Sequence, residues 1–433
     1  MTFLRNCRLL LSLAVLSAPT LLLAKELSNE EARVVQSIDE EAPQAVALLE
    51  RLVNINSGTF NPAGVAQVGK LLEGELQALG FTTRWIPMHA VKRAAQLVAE
   101  RKGSRGERVL LIGHMDTVFE PSSTFQKFAR EGNRAIGPGV SDMKGGIVVI
   151  LSALKGLRSA GVLDGARITV FLTGDEESVA EPWETSRGEL IKAGKNSDAV
   201  LSFESGVTKR GKDYATVARR SSTRWELRVQ AKGGHSSGIF SDFLGDGAAF
   251  ELSRILKLFH DSLREPNLTY SAGMVVAGSD ITLEPSGEAS VSGKENIVPG
   301  EGLAVGDIRA LSAEQLARVK EKMQSIVALS LPGTKSEISF RDKMPPMAPS
   351  PGNLALLAKL NDANRALGLP DMEALEPLQR GAGDASFVAP FTNVLDGLGA
   401  YGNGSHAFGE SVDLARLPLQ SKRAALLIYR LIH

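Results

Sequence analysis

The chain has 433 residues, 43% hydrophobic and 23% charged, and its 49 Lys and Arg balance 49 Asp and Glu. That length is too great for one compact core and implies a globular protein of two domains. Zero net charge excludes capture of nucleic acid or an anionic membrane by bulk electrostatics, and leaves room for local steering of an acidic substrate.

Arg5 and Arg8 precede an apolar run over 9–23 that ends at Ala24. This succession predicts a secretory signal over residues 1–24, and so a periplasmic or secreted protein. The run is short for a bilayer span, which disfavours an uncleaved anchor and any stable membrane association after its removal. Cys7 is the only cysteine. A mature chain from Lys25 would carry no thiol and would suit an oxidising compartment.

A first domain is expected to begin at 25 and run to 220. Helical periodicity covers 28–54, with a break before Pro43, and 65–79, which Gly80 stops. Strands are expected at 82–86, 96–100 and 109–113, the last a continuous apolar run suited to burial on both faces. A helix over 145–160 and strands at 167–173 and 199–203 follow. Such alternation predicts an α/β sheet flanked by helices on both sides. From 221 to 343 the pattern changes to strand, helix, two strand regions, helix and strand, a compact β-α-β-β-α-β unit. The proline-rich stretch at 345–351 reads as a linker back to the first domain. The second part of that domain, 344–433, ends in a helix over 418–432.

Five short segments carry the chemistry: IGHMDTV at 112–118, GPGVSDMKGG at 137–146, TGDEES at 173–178, LSFESG at 201–206 and GNGSHAFGE at 402–410. His114, Glu176, Glu177 and Glu204 fall just past predicted strand ends, where open α/β sheets place their sites. Asp116 stands two residues after His114, on the same side of an extended segment, and can support the imidazole. A lone His-x-Asp is otherwise an ordinary strand-end loop. Asp142 sits between glycines at a helix start, where it could bridge two cations or simply cap the helix. Three adjacent acids at 175–177 are usually a solvated turn. At the mouth of an apolar strand, one can bind a cation while another takes a proton from water. His406 adds a nitrogen ligand from a glycine-rich loop.

In this order, the five segments resemble the M20 family of co-catalytic zinc peptidases and deacylases, most of all its bacterial glutamate carboxypeptidases. The similarity spans roughly residues 45–430. It implies a zinc-exopeptidase-like catalytic domain, a mixed sheet flanked by helices, with an inserted lid that often forms a homodimer. It implies two Zn2+, with Co2+ or Mn2+ as alternatives. His114 and Glu204 would bind one ion, Glu177 and His406 the other, and Asp142 both. Glu176 would be the general base. His235 takes the place of a lid histidine that stabilises the oxyanion, often from the partner subunit. Asn296 and Arg309 resemble lid residues that hold the substrate's free carboxylate, with Gly381 in a further substrate-contacting stretch.

Gly383 stands where relatives commonly have threonine, which puts that local substrate contact in question. Segments 179–185 and 279–293 are insertions that could reshape the pocket. Arg219 and Arg220 could reach an acidic substrate or be ordinary solvated arginines. His89, His260 and His433 read as structural or solvated. The expectation is an exported two-zinc exopeptidase that removes a C-terminal amino acid, with glutamate the leading candidate, from peptidyl or acyl-amino-acid substrates. The alternatives are an N-acyl amino acid deacylase or dipeptidase on the same site, and a non-catalytic peptide- or metal-binding protein.

Overall fold

The computed structural model describes residues 26–284 and 286–433, so the signal expected over 1–24 lies outside the described residues. Among the described residues, no helix is long and apolar enough to cross a membrane. The chain opens with helices α1 (Asn29–Glu40), α2 (Ala42–Val53) and α3 (Pro62–Ala78), followed by strands β1 (Thr82–Ile86), β2 (Gln96–Arg101) and β3 (Arg105–His114). Ser28 caps α1 in a reciprocal capping box with Glu31. Helix α4 (Lys144–Ser159) and strands β4 (Ala166–Thr173) and β5 (Ala199–Ser202) complete the first run.

The lid follows: β6 (Ser222–Ala231), α5 (Gly247–Ser262), β7 (Thr269–Gly278), β8 (Glu301–Arg309), α6 (Ala313–Val327) and β9 (Thr334–Met344). The chain then returns through α7 (Pro351–Ala366), β10 (Asn393–Leu395) and α8 (Leu417–Ile432).

The larger sheet has the order β1-β2-β4-β3-β5-β10. Strands β1 and β2 run antiparallel to their neighbours, whereas β4, β3, β5 and β10 are mutually parallel. The parallel strands are buried on both faces, which is why 109–113 reads as an unbroken apolar run. Helix α4 is buried on all sides, against α1, α2, α8 and the sheet. Burying side chains such as Leu151, Leu154 and Leu157 stabilises the fold by roughly 1.5–3 kcal/mol each. Because β4, β3 and β5 are adjacent and parallel, their C-terminal ends meet at one edge of the sheet.

The lid is a four-stranded antiparallel sheet, order β7-β8-β6-β9. Trp225, Leu227 and Val229 from β6 pack with Leu252, Ile255 and Phe259 from α5 and with Val319 and Met323 from α6. This is the β-α-β-β-α-β order that the sequence predicts. The structure adds detail where sequence signals were weak. Segment 279–293 forms a hairpin of strands Asp280–Leu283 and Ala289–Ser292. The proline-rich stretch is a linker only up to Ser350, which caps α7; Pro351 occupies a first-turn position, where its missing N–H costs nothing. Strand β9 extends well beyond the expected 337–340, because alternating half-exposed residues blur its ends.

Candidate metal centre

The three parallel strand ends deliver His114 from β3, Glu176 and Glu177 from the loop after β4, and Glu204 from the loop after β5. Asp142 arrives from the loop just before α4, and His406 from a loop near the C-terminus. His406 adopts a left-handed backbone with φ of 66°, uncommon for a non-glycine residue.

Asp142 stands between the two histidines. Its Oδ1 lies 3.2 Å from His114 Nε2, and its Oδ2 lies 3.1 Å from His406 Nε2. Glu204 Oε1 is 3.5 Å from His114 Nε2, and Glu177 Oε2 is 3.1 Å from His406 Nε2. The donors form two groups that share Asp142: His114, Asp142 and Glu204; and Asp142, Glu177 and His406. Within each group the ligand atoms lie within 4.8 Å of one another. Glu176 Oε2 is 4.0 Å from His114 Nε2.

The surroundings fix this arrangement. His114 Nδ1 lies 3.0 Å from the Asp116 backbone carbonyl, which can only accept, so Nδ1 carries a hydrogen and Nε2 is the nitrogen turned inward, free to ligate once it has lost its proton. The Asp116 carboxylate is somewhat further from that ring, at 3.4 Å, and has a second task. It accepts the backbone N–H groups of Glu176 at 3.0 Å and Glu177 at 3.1 Å, and the Thr59 hydroxyl at 2.6 Å. Asp175 is turned away from the centre, pairing at 2.6 Å with the buried Arg187, which also binds Asp384 at 2.6 Å. Glu410 ties the His406 loop to the Asp142 loop: its carboxylate accepts backbone N–H groups from Gly139, Ser141 and Asp142.

Burial favours the protonated form of an acid unless neighbouring positive charge or hydrogen bonds outweigh it, as they do at Asp116 and Asp142. Burial pushes Glu176 well above the usual carboxylate range, and lifts Glu177 and Glu410 to about 7. Burial opposes charge on His114, but Asp116, Asp142 and Glu204 outweigh it and raise its pKa well above the ordinary value. Hydrogen bonds to Asp142 and Glu177 raise His406 to about 11. Glu177 Oε1 is buried with no hydrogen-bond partner. Protons gathered on a convergent set of carboxylates and imidazoles, with a buried oxygen left over, fit divalent cations of the zinc type.

The sequence alone missed several participants. Arg341 and Lys343 of β9 line a cavity of about 590 Å³ with Glu176, Glu177, His406, Arg309 and Gly381. No motif marks them, because exposed basic residues on a strand look solvated. Glu410 lay within a quoted segment, and its buried glycine-rich setting was the available signal. Arg219 and Arg220 are buried rather than solvated. His235 and Asn296 are exposed and line a different lid cavity of about 660 Å³, which shares no residue with the metal cleft.

Residues 110–430 match the model of peptidase family M20/M25/M40. The chain belongs to this family. The M20 chain is 29% identical over 402 residues to carboxypeptidase G2 of Pseudomonas sp. (strain RS-16), covering 91% of this chain and 90% of that protein. It is 27% identical to succinyl-diaminopimelate desuccinylase of Gluconobacter oxydans (strain 621H), covering 86% and 93% respectively. Its fold also matches a dinuclear metal-binding M20 peptidase from Bacillus subtilis, with a TM-score of 0.62 at 15% identity, over 91% of this chain and 99% of that one. Family membership makes this chain a metallopeptidase-type hydrolase and sets aside a non-catalytic binding protein.

Proposed function

We propose that this M20 hydrolase is an exported two-zinc exopeptidase that releases a C-terminal amino acid, with glutamate the leading candidate. The observation that carries the reading is Asp142, set between two donor groups with Glu176 beside them. His114 and Glu204 would hold one cation, Glu177 and His406 the other, and Asp142 both. When bound, the pair supplies Lewis acidity at the scissile carbonyl and a water acidified to near neutrality. Glu176 would serve as the general base, taking a proton from the attacking water and returning it to the leaving amine. Burial raises the pKa of Glu176, and positive charge held beside it by His114, Asp142 and Glu204 would lower that pKa again and let Glu176 act as a base at neutral pH.

The preference for an acidic residue rests on the cleft wall. Arg309, Arg341 and Lys343 line the same cavity as Glu176, Glu177 and His406. Arg309 suits two-pronged capture of a carboxylate. Arg341 is held at 2.8 Å by Glu181 of the inserted 179–185 loop, and a substrate carboxylate would compete for it. The resemblance to carboxypeptidase G2 supports the same choice. The likeness to succinyl-diaminopimelate desuccinylase keeps a second reading, an N-acyl amino acid deacylase, because that basic wall would equally accept an acidic acyl group. Export rests on the charged and apolar N-terminal pattern.

His235 and Asn296 lie in a lid cavity apart from their own metal cleft. They would act on the partner subunit's substrate in a lid-mediated homodimer, with His235 donating to the developing oxyanion.

The deciding experiment is hydrolysis of C-terminally varied dipeptides and acyl-amino acids by zinc-loaded mature protein beside a chelated control. Release of C-terminal glutamate in preference to neutral residues is the expected result. Preference for an acidic acyl group regardless of the C-terminal residue would shift the reading to a deacylase.

A further inference from the structure

One half of the metal centre has a guanidinium behind it. Arg219 precedes the first lid strand, and its side chain is only 4% exposed. Its Nε donates to Asp396. Its Nη1 donates to the backbone carbonyls of Gly381 at 3.1 Å and Ala382 at 2.8 Å. Its Nη2 makes no hydrogen bond, is buried, and lies 3.6 Å from Glu204 Oε2. The other oxygen of Glu204 faces His114. The two oxygens of Glu204 are therefore divided, one toward the metal centre and one toward Arg219. Glu177, in the other half, is different: its second oxygen has no partner.

Gly383 makes this approach feasible. A Cβ built there would stand 3.0 Å from Arg219 Cζ and Nη1 and 3.3 Å from Nε. The guanidinium is pinned by Asp396 and two carbonyls, so it has little freedom to retreat. The glycine at a position where threonine is common acquires a physical reason: it is the notch in which Arg219 lies.

We propose that Arg219 is a positioning residue that restricts Glu204 to binding a cation through one oxygen, and that Gly383 provides the space for it. A charged group held in a fixed geometry behind a ligating carboxylate orients that ligand before the ion arrives. With so little exposed surface, Arg219 does not itself hold substrate. The inference rests on Glu204 being a metal ligand, and that assignment is tested separately below.

The test titrates metal-stripped mature protein with Zn2+ by calorimetry and with Co2+ by visible absorption. Glu204→Gln identifies the binding step of the His114 half; if both steps survive in it, the ligand assignment fails whatever Arg219 does. Arg219→Lys keeps a cation beside Asp396 and removes the nitrogen that faces Glu204. Its melting temperature should stay close to wild type. It should weaken the His114-half step about tenfold or more, leave the other step within about twofold, alter the cobalt spectrum and lower kcat without raising KM. Unchanged metal steps and spectrum in a folded Arg219→Lys protein would overturn the proposal. So would a raised KM with unchanged metal binding, which would make Arg219 a substrate contact. Should Arg219→Lys fail to fold, Gly383→Ala displaces the guanidinium by a few tenths of an ångström; it should weaken the same step, and wild-type metal binding there would equally sink the idea.

Discussion

The backbone N–H of Glu176 donates to Asp116 Oδ1 at 3.0 Å, so one buried carboxylate both neighbours His114 and sets the direction of the proposed base. Asp116→Asn retains the shape but exchanges one accepting oxygen for a donor. With three donated hydrogen bonds at stake, zinc affinity or kcat should fall about 10- to 100-fold, and the melting temperature should drop. Elemental analysis after dialysis against a weak chelator, together with turnover, measures this. A variant equal to wild type in both would show that Asp116 has no supporting role.

Glu176→Gln separates binding from chemistry. The side chain stays the same size, so two zinc ions per chain should be retained. Losing the proton acceptor should lower kcat by roughly 10²- to 10⁴-fold. Undiminished turnover with full metal content would remove Glu176 from the mechanism.

Metal uptake should release protons. Without metal, His406 has its pKa raised to about 11 by hydrogen bonds to Asp142 and Glu177, and burial raises Glu177 to about 7. At pH 7 the histidine is therefore protonated and the glutamate partly so, and both must deprotonate to ligate. Falling pH supplies the competing protons, so affinity should decrease as pH drops below about 11, where His406 is protonated, and more steeply below about 7, where Glu177 is as well. Calorimetry in buffers of different ionisation enthalpy should show at least about one proton released on loading. A heat independent of buffer would contradict the ligand set.

The basic wall of the cleft predicts a charge-selective effect. Lys343→Ala or Arg309→Ala should raise KM for substrates ending in glutamate about tenfold or more, the scale of a lost hydrogen bond to a charged group. Substrates with a neutral C-terminal residue should change little. Equal losses on both classes would place the acidic specificity elsewhere.

The lid histidine can be tested by mixing subunits. Glu176→Gln and His235→Ala should each be nearly inactive alone. Unfolded and refolded together in equal amounts, they should recover about a quarter of wild-type activity, because half the dimers would be mixed and each would hold one intact site. No recovery would mean that His235 does not act across the interface.

Much of the site was legible along the chain because of how parallel strands are buried. A strand covered on both faces must be apolar throughout, so a polar residue just past its end marks the sheet edge where sites form. That logic located His114 at the end of β3, Glu176 and Glu177 after β4, and Glu204 after β5. The helix α7 was hidden because its N-terminal proline merged with a proline-rich linker. The 279–293 hairpin was hidden by short polar strands with little periodic signal.

The order of the apolar strands and the acids and histidines that follow them was set by the amino-acid sequence, since local burial leaves a local pattern. What the tertiary structure alone decided was which groups meet. Asp142 lies between His114 and His406, Glu410 reaches back some 268 residues to the Asp142 backbone, and Arg219 turns into the interior behind Glu204 while His235 stays on the lid surface. Hydropathy records whether a side chain leaves water, and carries no record of the distant residue that it faces once it has.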